Sequence, residues 1–154
     1  MAVIKPTLTL TANTSAATTN PGPLSVALSL SATDLLTVGS VESEIVTVAY
    51  SANSDNATLL IDGSAQAAAY VSGTNGAFIF MKNTSAASTT NFIQIGMHPV
   101  GIALDDLNVA GEDQRFFTLK VGEFAFFPFD YTQDIVIDAN AASQTLEYWM
   151  FHRA

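Results

Sequence analysis

Residues 115–153 read RFFTLKVGEFAFFPFDYTQDIVIDANAASQTLEYWMFHR, and this stretch decides the fold class. Phe117, Leu119 and Val121 alternate with Thr118 and Lys120, the period-two pattern of a half-buried strand. Gly122 interrupts it and the apolar text resumes at Glu123–Phe127. Pro128, which has no backbone N–H to give, is expected to stop the ladder there. Asp134–Asp138 is a short apolar strand held between two acids. From Thr145 to His152, Leu146, Tyr148, Met150 and His152 share one face, while Glu147, Trp149, Phe151 and Arg153 share the other. The stretch builds a β core and contains no motif of catalysis.

Working outward, the same grammar fills the rest of the chain. Gly76–Lys82 is a strand, followed by a polar turn at Asn83–Thr90 and by Asn91–Gly96, expected as its antiparallel partner. Ala57–Ile61 leads to Asp62-Gly63, a dipeptide that favours a tight hairpin turn. Ala65–Tyr70 fits either a helical turn or a strand edge. Glu44–Tyr50, Leu35–Val38, Ser25–Leu30 and Val3–Leu10 complete the strands, with a turn at 51–56 and a less regular Val100–Val109. Counting these gives about ten short strands with turns every ~8–12 residues and little helix, the spacing of an antiparallel sandwich. The run 11–23 lacks aromatics, charges and large aliphatics and ends in Pro-Gly-Pro. It divides an N-terminal segment and linker, 1–23, from a sandwich domain, 24–154. Two roles stay open for the run: a surface loop, or a hinge letting residues 1–10 add a strand to a neighbouring subunit.

Of the 154 residues, 49% are hydrophobic and only 12% charged, too apolar for disorder and too sparsely charged to coat a whole monomer surface. Part of the surface is therefore expected to lie against other chains. The net charge is −9, with no basic residue from Pro6 through Met81. That balance disfavours nucleic acid, whose phosphates need Lys and Arg, and an anionic membrane surface. There is no Cys, hence no disulfide framework and no thiolate site. Pro6 and the Thr/Asn run break any apolar core of a signal peptide, and no run approaches the ~18 apolar residues of a membrane span. Synthesis in the cytoplasm is the expectation.

The segment Phe78–Arg153 resembles a recurring type of small virion structural protein of tailed bacteriophages. The resemblance is carried by Phe80-Met81-Lys82-Asn83-Thr84-Ser85, by Leu119-Lys120-Val121-Gly122-Glu123-Phe124, by the turn Phe126-Phe127-Pro128 and by Leu146-Glu147-Tyr148. It implies an all-β, jelly-roll-like antiparallel sandwich on a virus particle. The implied role is capsid decoration (cement) on the major capsid protein, with a vertex, neck or tail position as the other implied place. Cement proteins of this kind are often trimers, so a homotrimer on the capsid surface is implied. No binding motif is transferred with it.

The residues themselves offer little chemistry. His98 and His152 are far apart in sequence, short of the clustered histidines a cupin-type metal site needs. No Gly-x-Ser-x-Gly elbow occurs. Glu42 and Glu44 would share a strand face. Asp105-Asp106 and Glu112-Asp113 are acidic turns without the spacing of a calcium loop. No catalytic residue, cofactor or metal is expected. The candidates for partner contact are Val3, Ile4, Leu8 and Leu10 of the N-terminal segment with Phe129, Tyr131 and Trp149. The last three, with Tyr148, are also candidates for stacking a glycan on a tail or fibre module.

Overall fold

The computed structural model describes residues 2–4, 7–10, 28–31, 36–50, 57–69, 76–100 and 115–153. Within them run the strands β1 (Ala2–Ile4), β2 (Thr7–Leu10), β3 (Leu28–Ser31), β4 (Leu36–Val48) and β5 (Thr58–Ile61), then one helix, α1 (Gly63–Ala69). Six more strands follow: β6 (Ala77–Asn83), β7 (Phe92–Pro99), β8 (Arg115–Lys120), β9 (Phe124–Phe129), β10 (Gln133–Ala139) and β11 (Gln144–Arg153). The linker 11–23, the turn 51–56 and the acidic turns at 105–106 and 112–113 lie outside the described residues.

Two antiparallel sheets form a sandwich. The first has the order β4-β11-β6-β9, with β1 added at the β4 edge; the second has the order β5-β10-β7-β8. β4 pairs with β11, β5 with β10, β6 with β9 and β7 with β8. The strands therefore nest as one long hairpin, closed between β7 and β8 and wrapped so that its pairs fall alternately in the two sheets. That is the jelly roll, an all-β sandwich as the sequence pattern predicts. β2 and β3 form a separate two-stranded ladder.

The core lies between the sheets and follows the alternation. In β6, Ala77, Ile79 and Met81 are fully buried while Phe78 and Phe80 are only partly so. They meet Ile93 and Ile95 of β7, Ile135 and Ile137 of β10, and Leu146 and Met150 of β11. Each such side chain contributes about 1.5–3 kcal/mol by leaving water.

Four local expectations are corrected. Residues 3–10 do not make one strand: β1 joins β4 and β2 joins β3. β7 is not the partner of β6 but sits in the opposite sheet, because the chain between them crosses the sandwich. Pro128 does not end β9. Asn83 N–H donates to the Glu123 carbonyl (3.0 Å) and Gly122 N–H to the Asn83 carbonyl (2.9 Å). The bonded positions thus alternate through Met81, Ile79 and Ala77, and Pro128, opposite Phe78, turns its nitrogen to the open edge. Finally, Asp62-Gly63 is no hairpin turn. Asp62 caps α1: its Oδ1 accepts from Ala65 N–H (3.1 Å) and Ser64 Oγ–H (2.6 Å), as a helix start requires. A Cβ on Gly63 would collide with the carbonyl oxygens of Gln133 and Tyr131, so only glycine lets α1 approach β10 this closely.

Candidate functional site

The first sheet exposes its outer face. Register places three rows across its four strands. Ile45, Glu147, Lys82 and Phe124 form the first; Ser43, Trp149, Phe80 and Phe126 the second; Val41, Phe151, Phe78 and Pro128 the third. Ile45 is 66% exposed, Phe124 59%, Val41 46%, and Trp149 and Phe126 each 39%. The rings order one another. Phe78 stacks on Phe126 at 5.7 Å, Trp149 on Phe151 at 6.3 Å, and Phe80 leans on Phe124 at 6.0 Å. Arg153 lays its guanidinium 4.3 Å over Phe78, a cation–π contact. Trp149 Nε1–H donates to Glu147 Oε1 at 2.9 Å.

This face is apolar for a reason visible in the strands. β6, β9 and β11 alternate between two apolar sets, one filling the core and one turned out. A solvated sheet face carries polar residues at those outward positions. The second sheet is the contrast. Its outward positions Gln94, His98, Asp134, Val136 and Asp138 are buried, and α1 packs against it through Gly63 N–H, which donates to Asp134 Oδ1 at 2.8 Å. The second sheet is thus covered over its central strands β7 and β10, though its edge strands leave Leu59 and Phe116 exposed, while the first is open and aromatic across its width.

A polar cluster sits beneath the open face, on the inner side of β11. Tyr131 hydroxyl lies 2.6 Å from His152 Nδ1, and His152 Nε2 lies 3.8 Å from Glu42 Oε2. Burial pushes the His152 pKa below the ordinary histidine value, against the opposing pull of Glu42. Tyr148 donates to Glu44 Oε2 at 3.1 Å, and burial, reinforced by that bond, pushes its phenol up to about 12. Glu42 and Glu44 do share a strand face, as their spacing predicts. Glu42 faces the buried His152 ring and Glu44 the half-buried Tyr148 ring, which makes them structural ties. His98 points Nδ1 at the Pro99 carbonyl (3.0 Å) in the other sheet. No group of three or more metal-ligating side chains occurs among the described residues.

The expected contact residues divide. Trp149 is on the open face. Phe129 and Tyr131 are 3% and 5% exposed and belong to the core, where Tyr131 reaches back to His152, so neither offers a ring to a partner or a sugar. Tyr148 is half-buried on the inner side. Val3 and Ile4 lie in β1, with backbone paired to Thr37 and Leu36 of the same chain, and Leu8 and Leu10 lie in β2 opposite Leu30 and Leu28. The residues that build the face with Trp149, chiefly Phe78, Phe80, Phe124, Phe126 and Ile45, were not singled out by the sequence reading. The signal was present: they share a period-two register with Trp149 once the strands are paired. Compared with protein-family models, curated proteins and solved structures, the chain finds no match.

Proposed function

We propose that this chain is a non-enzymatic virion structural protein, a capsid decoration (cement) protein that stabilises a phage head shell through non-covalent contacts. Its partners in this reading are the major capsid protein and other copies of itself. The observation that carries the reading is the open aromatic face of the β4-β11-β6-β9 sheet. A surface of that breadth and apolarity on a chain with few charges is suited to protein contact. Burying it gains about 25 cal/mol per Å², a gain made only in the assembled shell, so that rupture becomes costlier. The sequence resemblance supplies the setting. The jelly roll adds support by fold analogy alone, since capsid domains and lectins both use it.

The trimer implied by the resemblance would close through two different patches on each copy. The face favours a two-fold pair. The decisive experiment is the copy number of this chain relative to the major capsid protein in purified particles of its source. Comparable numbers are expected. A few copies per particle would move the protein to the vertex, neck or tail, and absence would overturn the virion reading.

A second reading, a glycan-binding module on a fibre or tail, is favoured by one detail: Trp149, exposed and stacked on Phe151, has the Glu147 carboxylate beside its indole. That combination offers a stacking ring and a hydroxyl acceptor. Retention on immobilised host polysaccharide, lost in Trp149→Ala with the fold intact, would select it.

A further inference from the structure

We infer that the open aromatic face joins two copies of this chain about a two-fold axis that lies in the interface, parallel to the strands and between β11 and β6. The inference rests on reading the chain as a contact-forming structural protein, and it names the first partner that face takes.

The row register makes the face complementary to itself under that one operation. A rotation about such an axis lays each β11 position over the β6 position that it opposes in register, and each β4 position over its β9 counterpart. Glu147 then falls over Lys82 of the second copy and Lys82 over its Glu147; Trp149 meets Phe80, and Phe151 meets Phe78. Ile45 meets Phe124 and Val41 meets Pro128. Apolar groups oppose apolar groups except at Ser43, which falls over Phe126, and the one opposed pair of charges is of opposite sign. An isologous contact demands this, and burying charges demands that they be matched. The axis also keeps the strands of the two sheets aligned, which is how sheets stack about 10 Å apart.

Net charge selects the same surface. The chain carries −9, so two copies repel through most of their surfaces. The face holds Lys82 and Arg153 against a single acid, Glu147. On this face an acidic chain can approach its own copy with two basic groups set against one carboxylate. The exposed rings on it have the composition of an interface centre, rich in Phe and Trp with Arg alongside.

Sedimentation equilibrium of the full chain tests the inference. A dimer is expected, weakened at least about tenfold by Trp149→Glu or Ile45→Glu with circular dichroism unchanged. Leu59→Glu should leave it intact, because Leu59 is comparably exposed (40%) but lies on β5 of the other sheet. Lys82→Glu and Glu147→Lys should each weaken the dimer, and the double exchange should restore it. A monomer at every concentration, an odd-numbered assembly, an oligomer indifferent to the face, or a double exchange that fails to restore would each overturn the two-fold pairing. A monomer that still binds purified shells would do so while leaving the decoration role standing. A dimer absent from particles would support the pairing and remove the virion reading.

Discussion

The Asn83 side-chain amide of β6 donates to the Leu119 carbonyl of β8 at 2.9 Å, a hydrogen bond from one sheet of the sandwich to the other. The Asn83 Oδ1 accepts Ser85 N–H at 3.0 Å, and the Ser85 hydroxyl in turn accepts Thr145 N–H at 2.9 Å. Asn83 is fully buried, so neither backbone group has water as a substitute partner. Replacing it with Ala removes the inter-sheet donor to the Leu119 carbonyl and leaves the Ser85 N–H without its acceptor, the latter at about 1–3 kcal/mol. Asn83→Ala is expected to lose about 2–4 kcal/mol in urea unfolding. A loss under about 1 kcal/mol would mean that the sheets are held in register by packing alone.

Ser143 holds φ at 61°, the one positive φ at a non-glycine residue among those described. It lies in the turn between β10 and β11, exposed, where its Cβ gains no packing. An L side chain in that region costs roughly 1 kcal/mol that glycine does not incur. The added freedom of glycine in the unfolded chain offsets part of this. Ser143→Gly is therefore expected to be neutral to stabilising by up to about 1 kcal/mol, and Ser143→Val destabilising. Thermal unfolding of the three proteins gives the order directly.

The buried His152 gives stability a pH dependence. Its folded pKa lies below the ordinary 6.5 because burial disfavours the imidazolium. The unfolded chain therefore binds the proton more readily. The stability this contributes is complete above about 6.5 and is lost as pH falls through the folded pKa. Asp62, whose carboxyl is held below its usual range first by the Ser64 hydroxyl and then by Ala65 N–H, titrates below 3.8, so the two windows are separate. Urea midpoints for the wild type should fall between pH 7 and pH 5. In His152→Gln, which keeps an acceptor for Tyr131, that slope should flatten. An unchanged slope would assign the titration to another group.

Much of this architecture is written in the chain. The alternation through Ala77–Asn83 and through 144–153 specifies strands and even the inward set, because Ile79, Met81, Leu146 and Met150 keep period two without a break. Pairing is less legible. Nothing local tells β6 that its neighbours are β9 and β11, far along the chain, and not β7, the next strand in sequence; that choice belongs to the wrapping of the long hairpin. The open face escaped for a related reason. When both sides of a strand are apolar, as in Phe78-Ile79-Phe80-Met81, alternation loses its contrast and cannot say which side meets water. Tyr131 escaped because it lies in a turn beyond β9, where period two no longer applies, and its direction is set by the hydrogen bond to His152. Asp62-Gly63 reads as a hairpin turn and proves a helix start, since the same dipeptide serves both.

The attachment of α1 to the second sheet is the remaining point at which one atom decides. Gly63 N–H reaches Asp134 Oδ1 at 2.8 Å only because nothing stands between the helix start and the β10 backbone. The carbonyl oxygens of Gln133 and Tyr131 occupy the place that a Cβ would need. Those atoms are backbone of the β9–β10 turn and of β10 itself and cannot swing aside as a flexible side chain would. Gly63→Ala must therefore lift α1 from β10, break the bond to Asp134 and leave a buried carboxylate short of a donor, at about 2–4 kcal/mol. The damage should be local. Amides of α1 and β5 should lose hydrogen-exchange protection first, while those of β6 and β11 in the other sheet keep theirs. Asp134→Asn retains an acceptor oxygen for Gly63 N–H and is expected to be the milder change. If Gly63→Ala instead leaves exchange in α1 unaltered, the helix does not depend on this contact, and the enclosure of the second sheet must rest on other residues.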